Sequence, residues 1–210
     1  MCFSATASLV AGSALSAAGV ATLSQAKTKK ELPLASIPLI FGIQQLTDGV
    51  VWLSFGVEPV HTIAVYAYAV FSQVLWPAFL PFSILLVETD PTRRKALRLF
   101  SFIGLCVAAY FLYFISAGTT TAQIVNNCVA YYTPQPHMLT SLVLYVAATC
   151  GACLLSSHKI LNIFGIALFI SFIISGWFYV EAFSSVWCFF AAILSFIIYW
   201  HFRSRSAAAA

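Results

Sequence analysis

Residues 41–55 read FGIQQLTDGVVWLSF, a stretch apolar enough to cross a bilayer that nonetheless carries Gln44, Gln45, Thr47 and Asp48. It decides the fold because a carboxylate at that depth is tolerated where it faces protein instead of lipid, inside a bundle of helices. The rest of the chain has the composition such a bundle needs. Of 210 residues, 61% are hydrophobic and 8% charged, and the mean hydropathy is +0.95, far outside the range of a soluble domain. Hydrocarbon offers no partners to backbone amides, so apolar runs of about 20 residues are read as spanning helices.

Seven such runs lie near residues 4–24, 33–56, 61–87, 96–117, 137–156, 159–180 and 182–202. They predict an all-α integral membrane protein, a bundle of seven transmembrane helices forming one domain over residues 1–206. The terminal AAAA, 207–210, reads as a tag remnant. All ten Lys and Arg residues fall in alternate connections: Lys27, Lys29 and Lys30; Arg93, Arg94, Lys95 and Arg98; Lys159; Arg203 and Arg205. By the positive-inside rule that end is cytoplasmic, which places the N-terminus outside and the C-terminus inside. The basic residues are divided among short loops, so nucleic acid is not expected as a partner. No positive region precedes the first apolar run, so helix 1 is expected to stay in the protein. Its Ser8, Gly12 and Ser16, at i+4 spacing, read as a close-packing face.

The longest connection, residues 118–136, contains two strand-favouring segments, Ala122 to Val125 and Cys128 to Tyr132. They flank Asn126-Asn127, a pair that tolerates the left-handed backbone of a tight turn. A short β-hairpin over the outer mouth of the bundle is one reading, and an irregular loop with interfacial tyrosines is the other.

Of six acidic residues, Asp48 is the one well inside a span. Gln44 lies one turn before it on the same face, with Gln45 and Trp52 at i−3 and i+4. At 1.5 Å per residue, Asp48 sits roughly 12 Å and Cys188 roughly 9 Å below the outer ends of their helices. Tyr66 and Tyr145 fall in the same band. Helix 3 adds Gln73 and Trp76, with Pro77 and Pro81 as expected kinks. Helix 5 carries His137, Ser141 and Tyr145, and helix 7 carries Ser185 and Cys188. One-sided polar stripes in lipid point inward, so Gln44, Tyr66, Gln73, Trp76, Ser141 and Ser185 are expected to line an outward-facing polar cavity. Asp48, His137 and Tyr145 are its candidate acid/base groups.

Cys2, Asp48, His137 and Cys188 are ligand types that zinc or copper would use, although no tight pair such as HxxxH supports a metal. Cys2 follows the initiator Met, whose removal would expose a thiol beside a free amine. Cys150 and Cys153 form a CxxC string in an apolar helix, without the strand-to-helix context of a redox motif, and read as small core residues. Helix 7 has no lysine, so a retinal Schiff base is excluded there. Haem is not expected, because His61 and His137 sit at one rim and His158 and His201 at the other surface.

The motifs MCFSATAS (1–8), Trp76-Pro77, Pro136-His137 and SVWCFFAA (185–192) together resemble a family of uncharacterised bacterial polytopic membrane proteins. The resemblance spans essentially the whole chain and implies a bacterial inner-membrane location. Seven-helix zinc hydrolases of the ceramidase and adiponectin-receptor kind are similar in architecture, but their multi-histidine pattern is missing here.

These features yield three expectations. The first is a metal-dependent enzyme acting on a lipid or small amphiphile that enters from the outer side, with membrane lipids as surroundings and oligomerisation left open. The second is an ion or small-solute transporter or channel using Asp48. The third is a ligand sensor without catalysis.

Overall fold

The computed structural model describes residues 4–207. Among these residues seven helices are long and apolar enough to cross a membrane: α1 Ala5–Leu23, α2 Leu32–Leu53, α3 Val60–Val87, α4 Pro91–Ala117, α5 Met138–Leu155, α6 Lys159–Phe178 and α7 Phe183–Arg205. Their bounds follow local chemistry. Ser4 caps α1, its Oγ accepting from the Ala7 amide at 3.2 Å, and Asp90 caps α4 by accepting from the Arg93 amide at 2.8 Å. Both α2 and α4 carry proline at their first turn, where no N–H is needed.

Between α4 and α5, β1 (Thr121–Val125) pairs antiparallel with β2 (Cys128–Tyr132), Val125 opposite Cys128 and Thr121 opposite Tyr132. Asn126 and Asn127 turn the chain with φ of 49° and 58°, the positive pair that matches a two-residue turn to strand twist. Period-two alternation then anchors β2 on three helices at once. Val129 packs on Val51 of α2 and on Ala64 and Val65 of α3, while Cys128 packs on Ala182 and Val186 at the start of α7. The hairpin therefore closes one end of the bundle, and the basic residues gather at the other.

Two helices lose regular geometry midway. In α3 the residues Val70–Leu75 are π-helical immediately before Trp76-Pro77, and in α5 Ala147–Gly151 are π-helical. A π-turn at Ser72 would offer its carbonyl to the residue five positions on, Pro77, which has no N–H to give. Tyr145 fills that gap: its hydroxyl donates to Ser72 O at 2.7 Å. Nearby, α3 meets α4 so closely that a Cβ built on Gly104 would lie 1.8 Å from Pro77 O. The missing side chain of Gly104 sets this helix spacing, as expected where lipid supplies little drive for association and close backbone approach takes its place.

Candidate functional site

The polar face of α2 points into the bundle. Gln44, Gln45 and Asp48 are all fully buried, as the i, i+4 and i+1, i+4 spacings require of one helix face. Asp48 is held from two sides. Ser8 of α1 donates to its Oδ2 at 2.8 Å, and Tyr131 of β2 donates to its Oδ1 at 2.7 Å. Ser8 thus does more than allow α1 and α2 to approach.

Tyr131 is fixed in turn by Tyr68 of α3, whose ring stacks on it with centroids 4.0 Å apart and planes 12° from parallel. Burial, then the neighbouring Asp48 charge, push the Tyr131 phenol well above its ordinary range, so it remains a donor. The Tyr68 hydroxyl is buried among Gln44, Asp48 and Cys188. One turn deeper, Trp76 Nε1 donates to Gln44 Oε1 at 2.7 Å while its ring stacks on Phe41 at 3.8 Å.

Among the described residues, several polar atoms at this level lack a hydrogen bond of normal geometry: Gln44 Nε2, both amide atoms of Gln45, Tyr68 Oη and Ser185 Oγ. Buried polar groups are nearly always paired, so a cluster of orphans marks a place built for something besides packing. Beside it, under the hairpin, lies a cavity of about 130 Å³ to which Tyr131 and Cys188 contribute. Its walls include the rings of Phe111, Tyr145, Phe183 and Trp187, with Gln73 and Gln135 on the polar side. Gln73 Nε2 donates to Thr133 Oγ1 at 3.3 Å, yet Gln73 Oε1 and Gln135 Oε1 are both unpartnered among the described residues.

The sequence-derived candidates distribute unevenly. Asp48, Gln44 and Cys188 converge around Tyr68, and Gln73, Ser141, Tyr145 and Cys188 share the cavity under the hairpin. Trp76 and Ser185 are buried, the former bonded to Gln44. Tyr66 is half-buried and turned to the strand connection: its hydroxyl donates to Gly118 O at 3.2 Å and accepts from the Thr120 amide at 3.3 Å. Two residues on, Tyr68 is the tyrosine that stands inside.

His137 is exposed with a left-handed backbone at φ 56°. It lines a separate groove of about 390 Å³ between α4 and α5, with Cys106 and Tyr110. The hydroxyl of Tyr110 donates to Pro136 O at its edge. Among the described residues, no group of three or more His, Cys, Asp or Glu side chains is placed to hold a metal ion. The candidate ligand Cys2 lies outside the described residues. Cys150 and Cys153 are buried free thiols in the core beside α6.

Sequence reasoning missed Tyr68 and Tyr131. Tyr131 carried a signal, since it alternates with Val129 along β2 and so faces the bundle. Tyr68 carried none beyond its place in an apolar helix.

No curated protein and no solved structure matches the chain. A family model does match, over residues 1–210, and its description is a family of unknown function, DUF6629. The helices, the capping hairpin and the buried Asp48 cluster are therefore features of a member of that family: the chain belongs to DUF6629.

Proposed function

We propose that the protein binds a small amphiphile in the cavity beneath its hairpin. The observation that carries this reading is the pair of unpaired acceptors, Gln73 Oε1 and Gln135 Oε1, in a cavity otherwise walled by aromatic rings. An apolar body would pack against Phe111, Tyr145, Phe183 and Trp187, and hydroxyl or amine groups would donate to the two glutamines. The positive-inside rule supports a cytoplasmic basic end and thus a cavity that opens outward, and the motif resemblance supports a bacterial inner-membrane location. Beneath the cavity, Cys188 also borders a narrow apolar space of about 30 Å³ among Phe41, Trp76, Leu80, Phe164 and Leu168. That layer favours a bound ligand over a permeation route through Asp48.

The test is mass spectrometry of small molecules released from purified protein, wild type against Ser184→Trp, which adds an indole to the cavity lining. An amphiphile enriched in the wild type and lost from a Ser184→Trp protein of unchanged melting temperature is the expected result. A wild type that releases nothing beyond a detergent blank removes the proposal.

A second reading, a metal-dependent enzyme acting on that amphiphile, is favoured by the convergence of Asp48 and Cys188 around the Tyr68 hydroxyl. A carboxylate and a thiol from different helices are a donor set for zinc or copper, and Asp48 with Tyr131 would serve as an acid/base pair. Elemental analysis of wild type, Asp48→Asn and Cys188→Ser decides it. Wild-type protein that is isolated metal-free and takes up neither metal on addition sinks this second reading alone.

A further inference from the structure

The basic end holds a second cavity, of about 410 Å³, at the meeting of the α1–α2 connection, the α3–α4 connection, the start of α6 and the end of α7. Its wall carries Lys30, Arg94, Arg205, His158 and His201 against two carboxylates, Glu31 and Glu88. Both carboxylates are already committed. Glu88, although only 2% exposed, accepts from the Thr89 and Asp90 amides at 2.9 and 3.0 Å and from the Ser157 hydroxyl at 2.6 Å through one oxygen. Its other oxygen accepts from the Ser157 amide at 2.7 Å and the Ser156 hydroxyl at 3.2 Å. Glu31 pairs with Arg205 Nη2 at 2.9 Å and accepts from the Lys27 amide at 2.8 Å.

The cations are not all matched. Arg94 Nε is buried without a hydrogen-bond partner, and among the described residues neither Arg94 nor Lys30 has an ion-pair partner. His158 Nε2 lies 3.2 Å from Val87 O. A carbonyl can only accept, so that nitrogen carries a proton. Once Glu31 and Glu88 are satisfied in place, the cavity wall keeps an excess of donors and of positive charge. Its size is that of a small-molecule site.

We propose that this cavity binds a phosphate-bearing anion, its phosphate oxygens taken by the Arg94 guanidinium and the Lys30 ammonium. A guanidinium offers several N–H groups in a planar fork that matches such oxygens. The carboxylate of Glu88 is held back from competing by its five donors, and that of Glu31 by Arg205. A phospholipid headgroup and a soluble phosphate compound share this chemistry. The site is independent of the cavity beneath the hairpin, at the opposite end of the bundle.

Two arms of one experiment separate the sources. Purified protein in neutral maltoside micelles is titrated with inorganic phosphate, and its melting temperature is compared with that in sodium chloride of equal ionic strength. In parallel, protein from phosphatidylcholine vesicles with and without phosphatidylglycerol is analysed by native mass spectrometry for retained lipid. Wild type, Arg94→Gln, Lys30→Gln and the control Arg203→Gln, at an arginine of the same end that does not line the cavity, are carried through both arms. Lys30 is exposed in a connection, so Lys30→Gln keeps the test open if Arg94→Gln fails to fold.

The expected result is stabilisation by phosphate beyond chloride, retained phosphatidylglycerol, or both. Apparent affinity should fall about tenfold in Arg94→Gln or Lys30→Gln and stay unchanged in Arg203→Gln. A response in the micelle arm alone assigns a soluble phosphate compound, and one in the vesicle arm alone assigns a lipid headgroup. Phosphate that acts no more than chloride together with no retained anionic lipid, or responses equal in wild type and in both cavity variants, overturns the proposal.

Discussion

The hydroxyl of Tyr131, in the hairpin, donates to Asp48 Oδ1, in a spanning helix, at 2.7 Å across 83 residues of chain. This bond makes the hairpin and the buried carboxylate one device. Tyr131 also lines the cavity under the hairpin, so a ligand entering there meets the side chain that holds Asp48. Any motion of β2 changes what the carboxylate can bond.

Tyr131→Phe retains the ring that stacks on Tyr68 and deletes this one hydrogen bond. A bond of this kind to a buried carboxyl group contributes about 1–3 kcal/mol. Amides of residues 121–132 are expected to exchange roughly ten- to a hundredfold faster, with α1 and α2 unchanged, by hydrogen-exchange mass spectrometry. Unchanged exchange in the hairpin would show that the packing of Cys128 and Val129 holds it without help.

Tyr145→Phe tests the account of the π-helical turn in α3. The ring keeps its edge-to-face contact with Phe111, but the Ser72 carbonyl loses the donor that stands in for the missing Pro77 amide. The loss is expected at about 1–3 kcal/mol, the cost of a buried acceptor left unpaired, measured by unfolding in mixed micelles. Tyr145→Phe combined with Pro77→Ala should recover part of it, because an N–H at residue 77 can again serve the carbonyl. Independent, additive losses would refute the pairing.

Seven spans were legible in the sequence because apolar length is a one-dimensional property, and each described helix overlaps the run that predicted it. Asp48 was legible for a related reason: one carboxylate in an apolar helix must face inward whatever surrounds it. Its partners were not legible. Ser8 looked like any small residue of a packing stripe, and only its register against α2 turns its hydroxyl onto Asp48. Tyr66 and Tyr68 cannot be told apart by composition, since two residues on a helix differ by about 200° of rotation and the sequence does not fix the zero of that angle. His137 was placed correctly at a helix start, but its left-handed backbone turns it onto the α4–α5 groove.

Gly104→Ala should be the most damaging single-methyl change among the helix contacts considered. The new Cβ would meet Pro77 O at 1.8 Å, and that obstacle is backbone, which cannot rotate away as a side chain can. Gly151→Ala is the matched comparison, since its Cβ would meet the Phe100 ring edge at 2.6 Å. Overpacking typically costs about 1–3 kcal/mol, so Gly104→Ala is expected at or beyond the upper end of that range and Gly151→Ala nearer the lower end. Detergent-unfolding midpoints order the two, and the reverse order would contradict the close approach of α3 and α4.

Glu88 gives the protein an acid limb in its stability. Burial opposes the charged form of this side chain, but the Ser157 hydroxyl and the amides of Ser157, Asp90 and Thr89 outweigh it and hold the carboxyl down at about 2, against an ordinary 4.5. Between those values the unfolded chain binds a proton that the folded chain does not. The contribution is therefore complete above pH 4.5, shrinks as pH falls toward 2 and is gone below the folded value. Glu88→Gln removes this dependence. The variant is expected to be less stable than wild type at neutral pH, with the two stabilities converging as the pH falls through that window in acid titrations of the unfolding midpoint. A constant difference between the two proteins across the window would show that Glu88 acts through packing and not through its charge.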